Sequence, residues 1–427
     1  MPTSALKVNQ LLAAVIGNAL EWYDFVVFGF VSSIVAKLFF PASSEYAALL
    51  LTFATFGVGF FMRPVGAIVL GLYADRKGRK AALQMVIAIM TIAVALIAFA
   101  PTYASIGIFA PVLIVIARLL QGFATGGEFA SATSYLVEST PIPLRGYFGS
   151  MQMVGQGAAA FGGSVAGALL TRMLTPEELN TWGWRVPFLI GLLIGPVGLY
   201  IRSCLDETEE FRSLDGIASV SHVAKSVLRD HTSGIVVAFL LAVCGTTMYY
   251  VTLVYMPTYA KSELGMALSD AFQVQWIAIA WMMLLLPGFG LLSDKLGRRN
   301  VMLGATLSYL VLPYPLMTWL HDAPGYDRLL VTQLLMCTVL ASFFGGMSTA
   351  IAELFPTRLR STGIGIAYNL AVMVFGGFAA FFITLLMKET GSALAPCYYN
   401  IFGALLGIVA TLFLEFPQRA LRLRPAG

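Results

Sequence analysis

The chain is 427 residues long, 58% hydrophobic and 11% charged, with a mean hydropathy of +0.82 and a formal net charge of +4. A soluble chain carries roughly 25% charged residues. So few charges exclude an ordinary water-soluble globule, and no basic stretch interleaved with aromatics offers a nucleic-acid surface. The cysteines Cys204, Cys244, Cys337 and Cys397 show no CxxC spacing and sit in or beside apolar runs, so free core thiols are expected. Residues 1–12 hold one lysine and no apolar run ending in a small-residue cleavage site. The first apolar run is therefore expected to remain in place as a helix.

A spanning helix needs about 20 mostly apolar residues. Such runs recur at 13–40, 46–72, 81–100, 106–137, 146–171 and 184–202, then at 233–260, 270–292, 300–319, 328–353, 361–387 and 397–416. Turn chemistry separates them, at Phe40-Pro41, Ala100-Pro101, Pro141, Pro143, Pro176, Pro324-Gly325 and Pro356. The sizeable polar interruption is 203–232. The expected organisation is a six-helix bundle over 1–202, a linker over 203–232, and a second six-helix bundle over 233–427.

Lys and Arg set the orientation. With the N-terminus in the cytoplasm, the outer side holds Lys37, Arg172, Arg185, Lys261, Arg328 and Lys388. Arg63 and Arg118 fall inside spans, and the remainder of the 26 basic residues lie on the cytoplasmic side. Both termini are thus expected in the cytoplasm.

The halves repeat. Gly71-Leu-Tyr-Ala-Asp75-Arg76-Lys77-Gly78-Arg79-Lys80 follows the second run, and Gly290-Leu-Leu-Ser-Asp294-Lys295-Leu-Gly297-Arg298-Arg299 follows the eighth. Glu138-x-x-Pro141-x-x-x-Arg145 recurs as Glu353-x-x-Pro356-x-x-x-Arg360, and Phe161-Gly162-Gly163 as Phe375-Gly376-Gly377. The fold class expected is an all-α membrane protein of twelve transmembrane helices in two homologous bundles.

On these residues the chain resembles the major facilitator superfamily over essentially its whole length. Gly17-Asn18-Ala-Leu-Glu21-Trp22-Tyr23-Asp24-Phe25, Arg63-Pro64-Val-Gly66 and the segment Arg118 to Glu128 are similar to the metabolite:proton symporter branch. That branch includes carriers of citrate, α-ketoglutarate, shikimate, and proline or betaine. The compact loops and short basic C-terminus look most like the citrate and α-ketoglutarate members. The resemblance implies two bundles that rock about a midplane site.

Ionisable groups inside a membrane are costly and mark function. Here they are Glu21, Asp24, Arg63, Arg118 and Glu128. Counting the helical rise from the span ends puts Asp24, Arg63 and Arg118 each roughly 18 Å deep, in one central slab. Arg118, Gln121, Thr125 and Glu128 are spaced as one stripe of a continuous helix. Arg63 and Arg118 are expected to hold substrate carboxylates bidentately, joined by Asn18, Tyr23, Gln121, Gln152, Gln156, Tyr368 and Asn369. Asp24, Glu21 and Glu128 are the proton-coupling candidates. A low dielectric favours a protonated carboxyl and an adjacent guanidinium the ionised one, so substrate that competes for the arginine would free Asp24 to take a proton. The sugar-porter branch of the same superfamily has an Asp in its first helix and an Arg in its fourth, which favours pairing Asp24 with Arg118. Tyr249, Tyr250, Tyr255, Gln273 and Gln275 are further polar groups of the second half.

The repeated loops read as gates: Asp75, Arg76, Gly78 and Arg79 with Glu138 and Arg145, and Asp294, Lys295, Gly297 and Arg298 with Glu353 and Arg360. An aspartate there can cap a neighbouring helix and the glycine permits a tight turn. His222, His231 and His321 read as loop or span-end residues. No HExxH, GxSxG or Walker A pattern occurs, so neither an enzyme nor a metal or organic cofactor is expected. The function expected is a proton-coupled symporter, acting as a monomer in the inner membrane, that imports a small di- or tricarboxylate such as citrate. Shikimate, α-ketoglutarate or a zwitterion remain alternative substrates, and an uncoupled facilitator or a receptor alternative activities.

Overall fold

The computed structural model describes residues 19, 22–42, 44–77, 79–138, 140–192, 195 and 229–414. Among them every regular element is helical, because a backbone shielded from water must satisfy its own polar groups. Helices α1 (Trp22–Phe30) and α2 (Ser32–Phe39) form one span bent by 68° at Val31. There follow α3 (Glu45–Lys77), α4 (Arg79–Ala98), α5 (Tyr103–Ile106), α6 (Phe109–Ala124), α7 (Glu128–Glu138), α8 (Arg145–Met173) and α9 (Pro176–Thr181). In the second half, α10 (Thr232–Tyr249) runs through a π-helical segment, Tyr250–Tyr255, into α11 (Met256–Ser262). Then come α12 (Leu268–Leu296), α13 (Arg298–Val311), α14 (Pro313–Asp322) and α15 (Tyr326–Glu353). Helix α16 (Arg360–Ala371) passes through a second π segment, Val372–Gly376, into α17 (Ala379–Thr390), and α18 (Ala395–Leu412) closes the set.

Eight described helices are long and apolar enough to cross a membrane, or nine if the bent α1–α2 pair counts as one span. Gln84–Ala98 and Phe109–Ala124 are shorter apolar helices. These fall on the expected runs. The sixth run, 184–202, is described only through 192 and at 195, and the linker only from 229. Large apolar side chains such as Leu284, Phe109 and Val409 face outward, as lipid contact requires.

One expectation fails in detail. The fourth run is not a single helix: α6 stops at Ala124 and α7 starts at Glu128, with a turn over Thr125–Gly127. The break falls on a seam of close backbone packing. A Cβ on Gly126 would collide with the Arg63 carbonyl and lie 2.6 Å from the Ala67 nitrogen. Helices α3 and α6 approach backbone to backbone along this seam. A Cβ on Gly122 would likewise strike the Gly59 carbonyl, and one on Gly66 the Phe123 carbonyl. That close approach sets Arg63 of α3 beside Arg118 of α6.

The halves touch at both ends. At the end rich in basic residues, the Asp294 carboxylate caps the start of α8, accepting from Gly146 N (2.8 Å) and Tyr147 N (3.0 Å). There too Thr349 Oγ1 donates to the Arg145 carbonyl (2.8 Å), and Arg360 Nη1 donates to Glu138 Oε1 (2.6 Å). At the opposite end, Tyr46 Oη donates to Glu263 Oε1 (2.7 Å), Ser32 Oγ meets Thr258 Oγ1 (3.4 Å), and Phe53 packs on Tyr255 with centroids 5.9 Å apart.

Candidate functional site

Between these closures aromatic rings pack around two guanidinium groups, a cluster called the chamber below. Arg63 is 2% exposed. Its guanidinium carbon lies over the rings of Phe60 (4.5 Å), Trp22 (5.0 Å) and Phe25 (5.0 Å), and its Nε has no hydrogen-bond partner. Arg118 is fully buried and shares the Phe25 ring, at 4.5 Å, with Phe28 and Phe56 each at 4.7 Å. Its Nη1 donates to Gln121 Oε1 (2.7 Å) and its Nη2 to the Phe56 carbonyl (3.4 Å). Arginine suits such a place, because its flat, weakly hydrated cation stacks on ring faces. Both guanidinium groups thus lie against the Phe25 ring.

Asp24 is 5% exposed, its Oδ1 has no hydrogen-bond partner, and it forms no ion pair with Arg118. A static Asp24–Arg118 bridge is thus absent from this arrangement. Gln121 takes the place of the carboxylate on Arg118.

The second half supplies the facing wall. Tyr249 packs against Trp22 (6.2 Å) and Phe344 (6.2 Å), and Tyr250 against Phe56 (6.0 Å) and Phe60 (6.1 Å). Both phenol oxygens are buried without a partner. Tyr368 stacks flat on Phe129 at 3.6 Å. Asn369 Nδ2 donates to the Gly126 carbonyl (2.7 Å), a group that the α6–α7 break leaves open.

Of the sequence candidates, Arg63, Arg118 and Gln121 therefore gather in the chamber, with Tyr368 and Asn369 beside it, whereas Asp24 Oδ1 lies against Gly191 and Gln156 is buried with its Nε2 unpartnered. Gln152 is buried on α8, one turn from Gln156. Tyr23 sits beside Gly162 of α8, 3.4 Å from where a Cβ would stand. Asn18, Glu21 and Gly78 lie outside the described residues, as do the side chains of Asp75, Arg76, Arg79 and Glu128. The expected stripe from Arg118 through Glu128 is interrupted at Thr125, since α6 ends there. Tyr255 is at the far end, where its hydroxyl lies 3.2 Å from Thr384 Oγ1. The loop residues Asp294, Arg298 and Glu353 form one cluster. Arg298 Nη1 donates to Asp294 Oδ1 (3.1 Å) and its Nη2 to Glu353 Oε1 (2.9 Å). Gly297 adopts φ +88°, which explains the glycine, and Lys295 is exposed.

Sequence reasoning missed the aromatic box. Phe25, Phe28, Phe56 and Phe60 were invisible as individual apolar residues in an apolar chain. The signal was their helical spacing, Trp22/Phe25/Phe28 and Phe53/Phe56/Phe60, on the faces that carry Arg63 and Asp24.

Comparisons with known proteins show the family and the fold. The family model for the Major Facilitator Superfamily matches residues 14–380. The citrate-proton symporter of Klebsiella pneumoniae is 37% identical over 408 residues, covering 96% of this chain and 92% of that protein. The proline/betaine transporter of Escherichia coli (strain K12) is 31% identical over 412 residues, covering 94% and 82%. Among solved structures, a D-xylose-proton symporter superposes with a TM-score of 0.77 at 20% identity, covering 95% of this chain and 96% of that one. The bundle packing, the repeated loops and these matches agree: the chain belongs to the Major Facilitator Superfamily.

Proposed function

We propose that this protein is a proton-coupled symporter that imports a small di- or tricarboxylate of the citrate type by alternating access. The observation that carries the proposal is the chamber's charge: two buried guanidiniums share the Phe25 ring, and Asp24, the described carboxylate whose charge reaches Arg118, is not bridged to either. An unpaired buried cation costs several kcal/mol. A substrate carboxylate would offset that cost, and a fork-shaped guanidinium would bind it bidentately. The likeness to citrate-proton symporters points to the same substrate class.

On this reading Asp24, with Glu21 and Glu128, carries the proton, and the chamber is occluded in the arrangement described. Substrate taking the Arg118 fork from Gln121 would change the field at Asp24 and so tie proton release to unloading. Asp294, Arg298, Glu353, Glu138 and Arg360 hold the basic end shut, with Asp75, Arg76 and Arg79 as their repeat counterparts. The basic end faces the cytoplasm, the division at 203–232 separates the rocking bundles, and the protein works as a monomer in the inner membrane with the proton as its coupling ion.

A zwitterion is the second reading. The aromatic faces favour it, because a quaternary ammonium binds such rings, and proline/betaine transporters are among the relatives. The arginines argue against it. They already occupy the faces of Trp22, Phe25, Phe28, Phe56 and Phe60, and they repel a second cation. Counterflow in proteoliposomes with labelled citrate tests the choice. Competition by tricarballylate or α-ketoglutarate and none by betaine is expected; the reverse pattern overturns the carboxylate reading.

A further inference from the structure

The π segment Tyr250–Tyr255 sits two residues before Pro257. This placement has a backbone consequence. In an i→i+5 register the Thr252 carbonyl looks to residue 257 for its donor. In the α register that resumes afterwards, the Leu253 carbonyl looks to the same residue. Proline has no N–H. One missing N–H, at the point where the register changes, leaves the Thr252 and Leu253 carbonyls short of backbone donors inside an apolar bundle, where an unmet polar group is costly.

Those two carbonyls are the ones met by side chains from other helices. Gln275 Nε2 of α12 donates to Leu253 O (3.1 Å) and Thr252 O (3.3 Å). Gln333 Nε2 of α15 donates to Thr252 O (2.9 Å) and to Gln275 Oε1 (2.6 Å). All four amide N–H groups are spent, which also fixes the orientation of both carboxamides. Tyr309 Oη, from α13, lies 3.0 Å from Thr252 Oγ1 and 3.4 Å from the Met248 carbonyl.

What lies beyond the proline matters. Helix α11 and its end carry the contacts that close the far end of the chamber: Thr258 against Ser32 and Glu263 under Tyr46. What lies before it carries Tyr249 and Tyr250, the chamber's facing wall. The mended stretch is thus a joint between wall and closure.

We propose that Gln275 and Gln333 are positioning residues that hold α11 closed over the arginine chamber by supplying the donors that Pro257 withholds. Neither touches the chamber. They act through the Thr252 and Leu253 carbonyls, and the joint loosens when those bonds break. The inference rests on the alternating-access reading but not on the identity of the substrate.

The test is labelling of Ser32→Cys, in a background without native cysteines, by a membrane-impermeant maleimide. Ser32 is fully buried under Thr258, so labelling is slow when α11 is seated. Gln275→Leu and Gln333→Leu keep the volume but donate nothing. Losing a buried hydrogen bond in this way is expected to speed labelling about tenfold. Pro257→Ala restores an N–H to the helix. Added to Gln275→Leu, it is expected to return labelling to within about twofold of the control, which lost packing alone would not produce. Wild-type labelling in both leucine variants, or no rescue by Pro257→Ala, overturns the proposal. If Gln275→Leu yields no folded protein, recovery of monodisperse protein only in the Pro257→Ala background supports the same donor balance, and failure in both backgrounds refutes it. Labelling reads closure whatever is carried, so a failed substrate panel and a failed joint give different results.

Discussion

Asp294→Asn should unlock the basic end without touching the chamber. Asp294 belongs to α12 of the second half, yet its two oxygens accept backbone N–H groups at the start of α8 in the first half. Its side chain is 4% exposed. These bonds exist only while the halves are together, so their loss falls on the closed arrangement alone. Asparagine keeps one accepting oxygen and turns an NH2 toward the other backbone donor. The loss is one charge-assisted bond, about 1.5–3 kcal/mol, plus the attraction of an anion to a helix start, about 0.3–1 kcal/mol. The closed-to-open ratio at that end should fall by roughly one to two decades. Binding in the chamber should change only through the competent fraction. A cysteine replacing Ser134, which is buried against Ser361 of the other half at 3.1 Å, reports the opening by maleimide labelling from the basic side. Labelling at the parent level while uptake falls would refute the argument and leave Asp294 with a role in topology alone.

Other outcomes follow from the same geometry. Arg63→Lys and Arg118→Lys keep the charge but lose the fork, and should each weaken binding of an anionic substrate by roughly one to two decades; unchanged affinity in folded protein would make both arginines structural. Asp24→Asn should abolish accumulation driven by an acid exterior while sparing exchange, because exchange need not discharge a proton; a surviving response to imposed ΔpH or to a protonophore would exclude Asp24 as the carrier. Gly122→Ala puts a methyl into the Gly59 carbonyl, so α3 and α6 must separate, and thermal unfolding of the purified protein should begin at a markedly lower temperature; an unshifted transition would show that the seam is slack.

Much of the fold was legible because a membrane span is long and compositionally loud. The runs at 46–72, 270–292 and 328–353 appear as α3, α12 and α15, and Asp24, Arg63 and Arg118 stood out because charge is rare inside the apolar runs. The breaks were harder to read. Nothing in the hydropathy of 106–137 marks the end of α6 at Ala124, where the Gly126 backbone packs against α3. Pro257 was visible, but the carbonyls before it are met by glutamines 18 and 76 residues further on. The aromatic box escaped for a similar reason: phenylalanine in an apolar helix looks the same whether it faces lipid, a neighbouring helix or a guanidinium.

The turn between α6 and α7 also limits how such a protein can diversify. Gly126 lies against the main-chain carbonyl of Arg63 on one side and lends its own carbonyl to Asn369 on the other. The residue proposed to recognise an anion and the bond that fastens the two halves beneath it are thus one backbone contact apart. A substitution that shifts α3 to admit a bulkier ligand displaces that fastening at once. Selectivity and turnover are therefore inherited together: variants chosen for a new cargo should change pace as well, and recovering speed should require second substitutions near Asn369 rather than in the chamber.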